Sequence, residues 1–357
     1  GLVCMGLLLV LSSCHTGKQI TASGLQRKDF QTEVNGQHTD LFTLSNKQGM
    51  EVCITNYGAR VVSILVPDRN GKREDVVCGF STITEYMEQR QNFGSTVGRY
   101  IGRILNARFT LDGVEYKLVP NNGKSGHISH GGNPGFADRI WKVEQADTHR
   151  VRLSYLSPDG ENGFPGNLKV TLVYSLGEDD NALDLTYEAT TDAPTVLNLS
   201  HHSFFNISGN FTKSVEDQQL WVDADRFTPY DDKKCVTGEY LPVAGTPLDF
   251  RMPHTIGECI DADHPQLKVV NGYDHTWELN TKGDDTRPAA WVYDPASGRK
   301  MEIFTTEPGM QIYTGNGLKG KMTGKGGIAY PFRSAVCFET MHFQDSPNQP
   351  GFPSTVL

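Results

Sequence analysis

The sequence predicts an all-β protein, one large antiparallel β domain carrying long loops. Three observations lead there. The 37 glycines and 18 prolines among 357 residues exceed their usual combined share of about 12%, which favours many turns and therefore many strands. Apolar and polar residues alternate with period two in run after run. Long stretches with helical periodicity are scarce.

Taken in chain order, residues 50–55 and 60–66 read as strands, followed by a turn signal at Asp68-Arg-Asn-Gly71. The best helical candidate is short, over 82–90. A strand over 108–111 runs into the turn Leu111-Asp-Gly113, which predicts a hairpin. Residues 151–156 alternate again. In "LKVTLVYSL", Leu168, Val170, Leu172, Tyr174 and Leu176 share one face. In "LDLTYEA", Leu183, Leu185, Tyr187 and Ala189 oppose Asp184, Thr186 and Glu188. The turn-like "GEDDNA" joins these two as a half-buried strand pair. Further strands are expected at 291–294 and 301–305. No repeat, low-complexity tract or compositional shift divides the chain from residue 25 onward, so 25–357 reads as one domain.

Residues 1–24 read differently. The apolar run 2–11 is shorter than the roughly 20 residues of a spanning helix and fits the core of a secretion signal. Leu11-Ser-Ser-Cys14 resembles a bacterial lipobox, in which the cysteine is lipidated after cleavage. This predicts an exported protein, periplasmic or anchored to a membrane through a lipid on Cys14. Residues from Thr16 to about Leu25 are then a polar tether outside the fold. The alternatives are an ordinary signal peptide or a cloning remnant.

The formal net charge is −9 and the basic residues are dispersed, which argues against a nucleic-acid partner. Beyond Cys4 and Cys14, the cysteines at 53, 78, 235, 259 and 337 have no CxxC spacing, so neither zinc nor redox chemistry is indicated. Cys53, Cys78 and Cys337 sit in apolar runs as buried thiols, whereas Cys235 and Cys259 lie in loop-like sequence. Adjacent His201 and His202 would point to opposite faces of a strand and could not readily chelate one ion together. With no HxH or HExxH motif, a zinc enzyme is disfavoured and no metal is expected.

Several polar stretches are embedded in this strand-rich sequence: "VGRYIGRI" (residues 97–104), "SHGG" (129–132), "NLSHHSFFN" (198–206), "GYDH" (272–275), "PGMQIYTGN" (308–316) and "ETMHFQDSPNQPGFPS" (339–354). Each has a bland reading by itself. An arginine in "GRI" is commonly ion-paired at a surface, "HGG" can be turn punctuation, Asp274 can make an Asx turn, and paired phenylalanines are usually core. Together and in this order they resemble the aldose 1-epimerases, or galactose mutarotases, over nearly all of residues 42–357.

That resemblance implies a β-supersandwich fold and interconversion of the α and β anomers of free aldoses of the glucose and galactose class. It implies no cofactor and a monosaccharide as the small-molecule partner. It assigns His202 as general acid and Glu339 as general base, and puts His130 near the sugar's ring oxygen as a third residue of the catalytic set. It gives Arg103, His130, Phe204, Asp274 and Gln311 to substrate binding. The residue types suit the reaction: ring opening takes a proton from the C1 hydroxyl and gives one to the ring oxygen, and an imidazole titrating near 6.5 is a fitting acid. Two departures from the family pattern stand out. Gly102-Arg103 replaces the usual Asn-Arg, and Phe204 stands where a tyrosine is common. Two other classes compete. A non-catalytic sugar-binding lipoprotein predicts loss of His202 or Glu339, and both are present. The other is a glycoside hydrolase or polysaccharide lyase; hydrolases usually pair two carboxylates, for which Asp274 and Glu339 could be mistaken.

Overall fold

The computed structural model describes residues 19–357. Among them strands dominate, with two short α-helices at Ile83–Gln89 and Pro265–Val270. The first is where the sequence placed one. Thr82 caps it by accepting from the Glu85 N–H, and the Glu85 carboxylate returns the bond to the Thr82 N–H. Such a reciprocal box satisfies two amide donors that the first turn cannot pair internally. The second helix, opened by a proline, was not anticipated from the sequence.

Four sheets carry the architecture. Leu41–Ser45, Glu51–Thr55, Arg60–Pro67 and Arg73–Asp75 form one antiparallel meander. Lys142–Ala146, Arg150–Ser157, Leu168–Leu176 and Leu183–Thr191 form a second. Their apolar faces meet in one core, where Val52, Ile54 and Val61 from the first sheet join Leu153, Val170 and Leu172 from the second. The alternation in Leu168–Leu176 is thus explained, since all five residues of its apolar set are buried. Its partner Leu183–Thr191 runs in register from Leu176 opposite Leu183 to Leu168 opposite Thr191.

The other half repeats this logic. Six strands lie in the order Phe204–Phe205, Val336–Met341, Gly309–Tyr313, Asp274–Glu278, Arg226–Thr228, Leu241–Pro242. A four-stranded sheet that includes Gln219–Val222 and Ala290–Tyr293 covers one face of this sheet. Trp277, Met310, Ile312 and Phe338 fill the core between them. Phe205 packs against both this core and the first one, so the segment that carries the paired histidines also joins the two sandwiches.

The tether expectation needs correcting over its last residues. The amides of Ala22 and Ser23 donate to Glu51 Oε1 at 2.7 and 3.3 Å. Thr21 and Leu25 are buried, and Ile20 bridges to Gln26. Short polar residues read as a tether, yet buried Glu51 needs donors, and this segment supplies them. Cys14 and the lipobox lie outside the described residues. Among those described, no helix is long and apolar enough to cross a membrane.

Cys53, Cys78 and Cys337 are buried thiols, as expected, and Cys235 and Cys259 are free rather than paired with each other. The first arginine of "VGRYIGRI" serves the fold. Buried Arg99 donates to the carbonyls of Pro165, Gly166, Ser157 and Pro158 and to the hydroxyls of Ser157 and Thr195, at 2.7–3.3 Å. A buried guanidinium needs that many acceptors to offset its lost hydration.

Candidate active site

The six-stranded sheet has a second face, and its register assembles the site. Directly opposed residues in an antiparallel pair point the same way. Thr276 pairs with Gln311, and Gln311 with Glu339. In the next row Asp274 pairs with Tyr313, Tyr313 with Cys337, and Cys337 with Phe204. Because Trp277, Ile312 and Phe338 fill the opposite face, these polar residues share one side. His275 makes the same point within "GYDH". It alternates away from Asp274 into the core beside Phe227, Tyr230 and Trp277, and burial drives its pKa down to about 3.

Strand geometry also separates the two adjacent histidines. Ser200–His202 pairs with Ser95–Val97, setting His201 opposite Thr96 and His202 opposite Ser95. The His201 ring lies 6.1 Å from Tyr174. His202 turns the other way, towards the polar face, and its Nε2 lies 3.4 Å from Glu339 Oε1. Its ring stacks on Phe204, 5.1 Å between centroids and 16° between planes. His202 and Glu339 are both nearly closed to solvent, and His202 Nδ1 has no hydrogen-bond partner among the described residues.

Burial sets the protonation of this pair. Desolvation holds His202 well below its ordinary value, helped by the neighbouring histidines. It pushes the Glu339 carboxyl well above the carboxylate range, and the nearby Asp274 charge acts in the same direction. Each group is therefore driven towards its neutral form. Asp274 is itself raised by burial, while the Gln311 amide that bonds it opposes the shift.

The remaining predicted residues gather around the pair. The His130 ring is 5.5 Å from that of His202; burial, then the Arg103 charge, lowers its pKa to about 4. Its backbone N–H donates to Gly102 O at 2.9 Å, and the Gly102 N–H reaches back towards His130 Nδ1 at 3.4 Å. With Nδ1 as acceptor, the ring proton of neutral His130 sits on Nε2. The glycines of "HGG" have a steric reason: a Cβ at Gly131 would fall 2.0 Å from Gly98 O. Arg103 pairs through its backbone with Ser129, and its Nη1 donates to Lys234 O at 2.7 Å. Gln311 Nε2 donates to Asp274 Oδ1 at 2.7 Å, and its Oε1 accepts from the Thr276 hydroxyl.

Phe204 departs from expectation. Buried edge-on against Phe93 and Tyr313, it holds the His202 imidazole from behind and offers no free face to a sugar. Lacking a phenol, it can sit in this apolar position with no polar atom to satisfy.

Three other residues of the site were not singled out from the sequence. Tyr230 comes from a loop, and its hydroxyl accepts from Gln311 Nε2 at 3.3 Å and Gln344 Nε2 at 2.7 Å. Gln344 lies inside a quoted motif. Cys337 is two residues from Glu339 on the same strand, a spacing that alternation could have flagged. One ligating atom from each of His202, Cys337 and Glu339 falls within 4.8 Å of the others. No HxH-type pattern would reveal such a set, because strand register builds it. Burial, with the Glu339 charge, holds the Cys337 thiol well above its ordinary pKa, so at neutral pH it is a protonated thiol.

A family model described as aldose 1-epimerase matches residues 40–357. Galactose mutarotase from Sus scrofa is 39% identical over 316 residues, covering 88% of this chain and 89% of that protein. Aldose 1-epimerase from Escherichia coli K12 is 35% identical over 319 residues, covering 89% and 90%. Among solved structures, an aldose epimerase homologue from C. elegans superposes with a TM-score of 0.82 at 30% identity, over 89% of this chain and 94% of that one. Galactose 1-epimerase from Lactobacillus acidophilus NCFM gives 0.78 at 27% identity, over 91% and 94%.

Proposed function

The chain belongs to the aldose 1-epimerase family and is an isomerase of aldose anomers with that family's all-β fold; from this premise we propose that His202 and Glu339 carry its two proton transfers. The observation that supports this reading is the buried Nε2–Oε1 contact of 3.4 Å. The C1 hydroxyl oxygen and the ring oxygen of an aldose are both bonded to C1, so the groups serving them must sit close together. Glu339 as carboxylate takes the proton of the C1 hydroxyl. His202 as imidazolium gives one to the ring oxygen, and the C1–ring oxygen bond breaks as C1 becomes an aldehyde. Rotation about C1–C2 and reclosure with the roles reversed deliver the other anomer. Because burial favours the neutral forms, the resting pair holds one shared proton, and its transfer from Glu339 to His202 creates the reactive charge state. Sugar hydroxyls entering the site supply the polar surroundings that make this transfer favourable.

Asp274, Gln311, Arg103 and His130 supply the directional donors and acceptors that aldose hydroxyls require. Galactose, which names several relatives, is the first substrate to assay, by polarimetry of a freshly dissolved single anomer. New reducing ends from an oligosaccharide would instead indicate hydrolysis.

The shared proton has a consequence for pH. A second proton joins the pair only below the ordinary histidine value of 6.5, because His202 is lowered. The first leaves only above the ordinary carboxyl value of 4.5, because Glu339 is raised. Therefore the acid-side fall of kcat/KM should be centred below pH 6.5. Rates corrected for buffer catalysis would test this; an acid limb centred at 6.5 would mean an ordinary, solvated histidine acid.

We also propose export with a lipid anchor on Cys14, on the strength of the apolar run 2–11 and the lipobox-like Leu11-Ser-Ser-Cys14. Cys14→Ser in the full-length precursor should move the protein from the membrane to the soluble fraction. Unchanged membrane fractionation would argue against the anchor.

A further inference from the structure

Position 102 is the place where the site departs most from the family's Asn-Arg pattern. Gly102 has φ +75, and a Cβ built there would lie 2.6 Å from Gln344 Cγ. The space a side chain at 102 would need is already filled, and what fills it is another carboxamide. Gln344 is buried and joined at both ends. Its Oε1 accepts from the Arg103 N–H at 3.3 Å. Its Nε2 donates to Tyr230 OH at 2.7 Å and lies 3.5 Å from Gln311 Oε1. Tyr230 OH also accepts from Gln311 Nε2 at 3.3 Å, and the same nitrogen donates to Asp274 Oδ1 at 2.7 Å. A continuous polar chain thus runs from the Arg103 backbone through Gln344, Tyr230 and Gln311 to Asp274.

We propose that Gln344 is a specificity-determining positioning residue: its carboxamide occupies the space vacated at Gly102 and fixes the Arg103 and Gln311–Asp274 groups that select among aldose hydroxyls. The inference rests on the sugar-binding roles proposed above for Asp274 and Gln311. Gln344 is well suited to set a recognition geometry, because an amide can donate and accept at once and its packing against Gly102 leaves it little freedom. Gln344 itself bonds to neither His202 nor Glu339 among the described residues, so its own contribution belongs to binding rather than to proton transfer.

The test uses the purified enzyme, a panel of aldoses each lacking or inverting one hydroxyl, and the shape-conserving variant Gln344→Met. KM should rise about tenfold for the best aldose with kcat changed less than about twofold, the signature of lost ground-state binding. For one hydroxyl, the penalty for its removal should shrink at least about fivefold in the variant, while the other penalties stay unchanged. Additive penalties at every hydroxyl, or a fall in kcat at constant KM, would overturn the proposal. Asp274→Asn is the control. If it couples to a hydroxyl and Gln344→Met does not, this inference alone fails. If neither couples, the sugar-binding reading fails and takes the inference with it. Should Gln344→Met not fold, Gly102→Asn carries the test. Asparagine tolerates positive φ better than most residues, yet meets Gln344 here. Adding Gln344→Ala to Gly102→Asn should recover at least about tenfold of the lost kcat/KM, and no recovery would count against Gln344 as the occupant.

Discussion

Glu339→Gln is expected to abolish enzymatic mutarotation while leaving the fold intact. The amide keeps the shape of the carboxylate and its place opposite Gln311 in the sheet, but cannot take the proton of the C1 hydroxyl. The loss should be about 10³-fold or more in kcat/KM, near the upper part of the range for removing a general base, leaving little above the uncatalysed anomerisation. Stability should not fall with it. Glu339 is buried, and burial already pushes its carboxyl towards the neutral form, so a neutral amide removes an ionisable group that the surroundings disfavour. A thermal melt at or above that of the native protein, together with a lost polarimetric rate, would separate chemistry from structure. A rate near that of the native enzyme would remove Glu339 from the role of base.

The sequence exposed different layers of this molecule to different degrees. Alternation located the strands because one face of each is buried, as the five buried residues of Leu168–Leu176 illustrate. The separation of His201 from His202 followed from the same period. What alternation could not provide was which strands become neighbours. Glu339 meets His202 only because the Val336–Met341 strand pairs with Phe204–Phe205, just beyond His202, a pairing between distant parts of the chain that no local pattern encodes. The family motifs substituted for that knowledge, and they named residues that the sheet register then brings to one face. They said nothing of Tyr230, which enters from a loop. Phe204 was given to substrate binding through the family resemblance, yet the plainer reading of paired phenylalanines as core describes it better, since the facing strand, Phe93 and Tyr313 bury it. The residues before Leu25 were assigned to a tether because they are short and polar. The amides of Ala22 and Ser23 are bound to Glu51, and a buried acceptor elsewhere in the chain is invisible to local composition.

His202→Asn should slow mutarotation by about 10²-fold or more, less severely than the loss of the base, because a neighbouring donor remains. That donor is His130, whose ring centroid lies 5.5 Å from that of His202. The two differ in how they can become charged. With a pKa of about 4, His130 in equilibrium with water is protonated in about one molecule per thousand at pH 7. His202 is depressed as well, yet it faces Glu339 at 3.4 Å, and a carboxyl pushed up by burial is a proton source within reach. His202 can therefore become an imidazolium by transfer inside the pair, without drawing a proton from solvent, and His130 has no comparable carboxyl contact among the described residues. The rate of the variant makes the distinction measurable. If His202 is the acid, the residual activity of His202→Asn should stay about 10²-fold or more below native at every pH, because a His130 imidazolium and a Glu339 carboxylate are favoured at opposite ends of the pH range. If the variant keeps a rate within a few fold of native, His130 is the acid, and the contact between His202 and Glu339 serves only to orient the base.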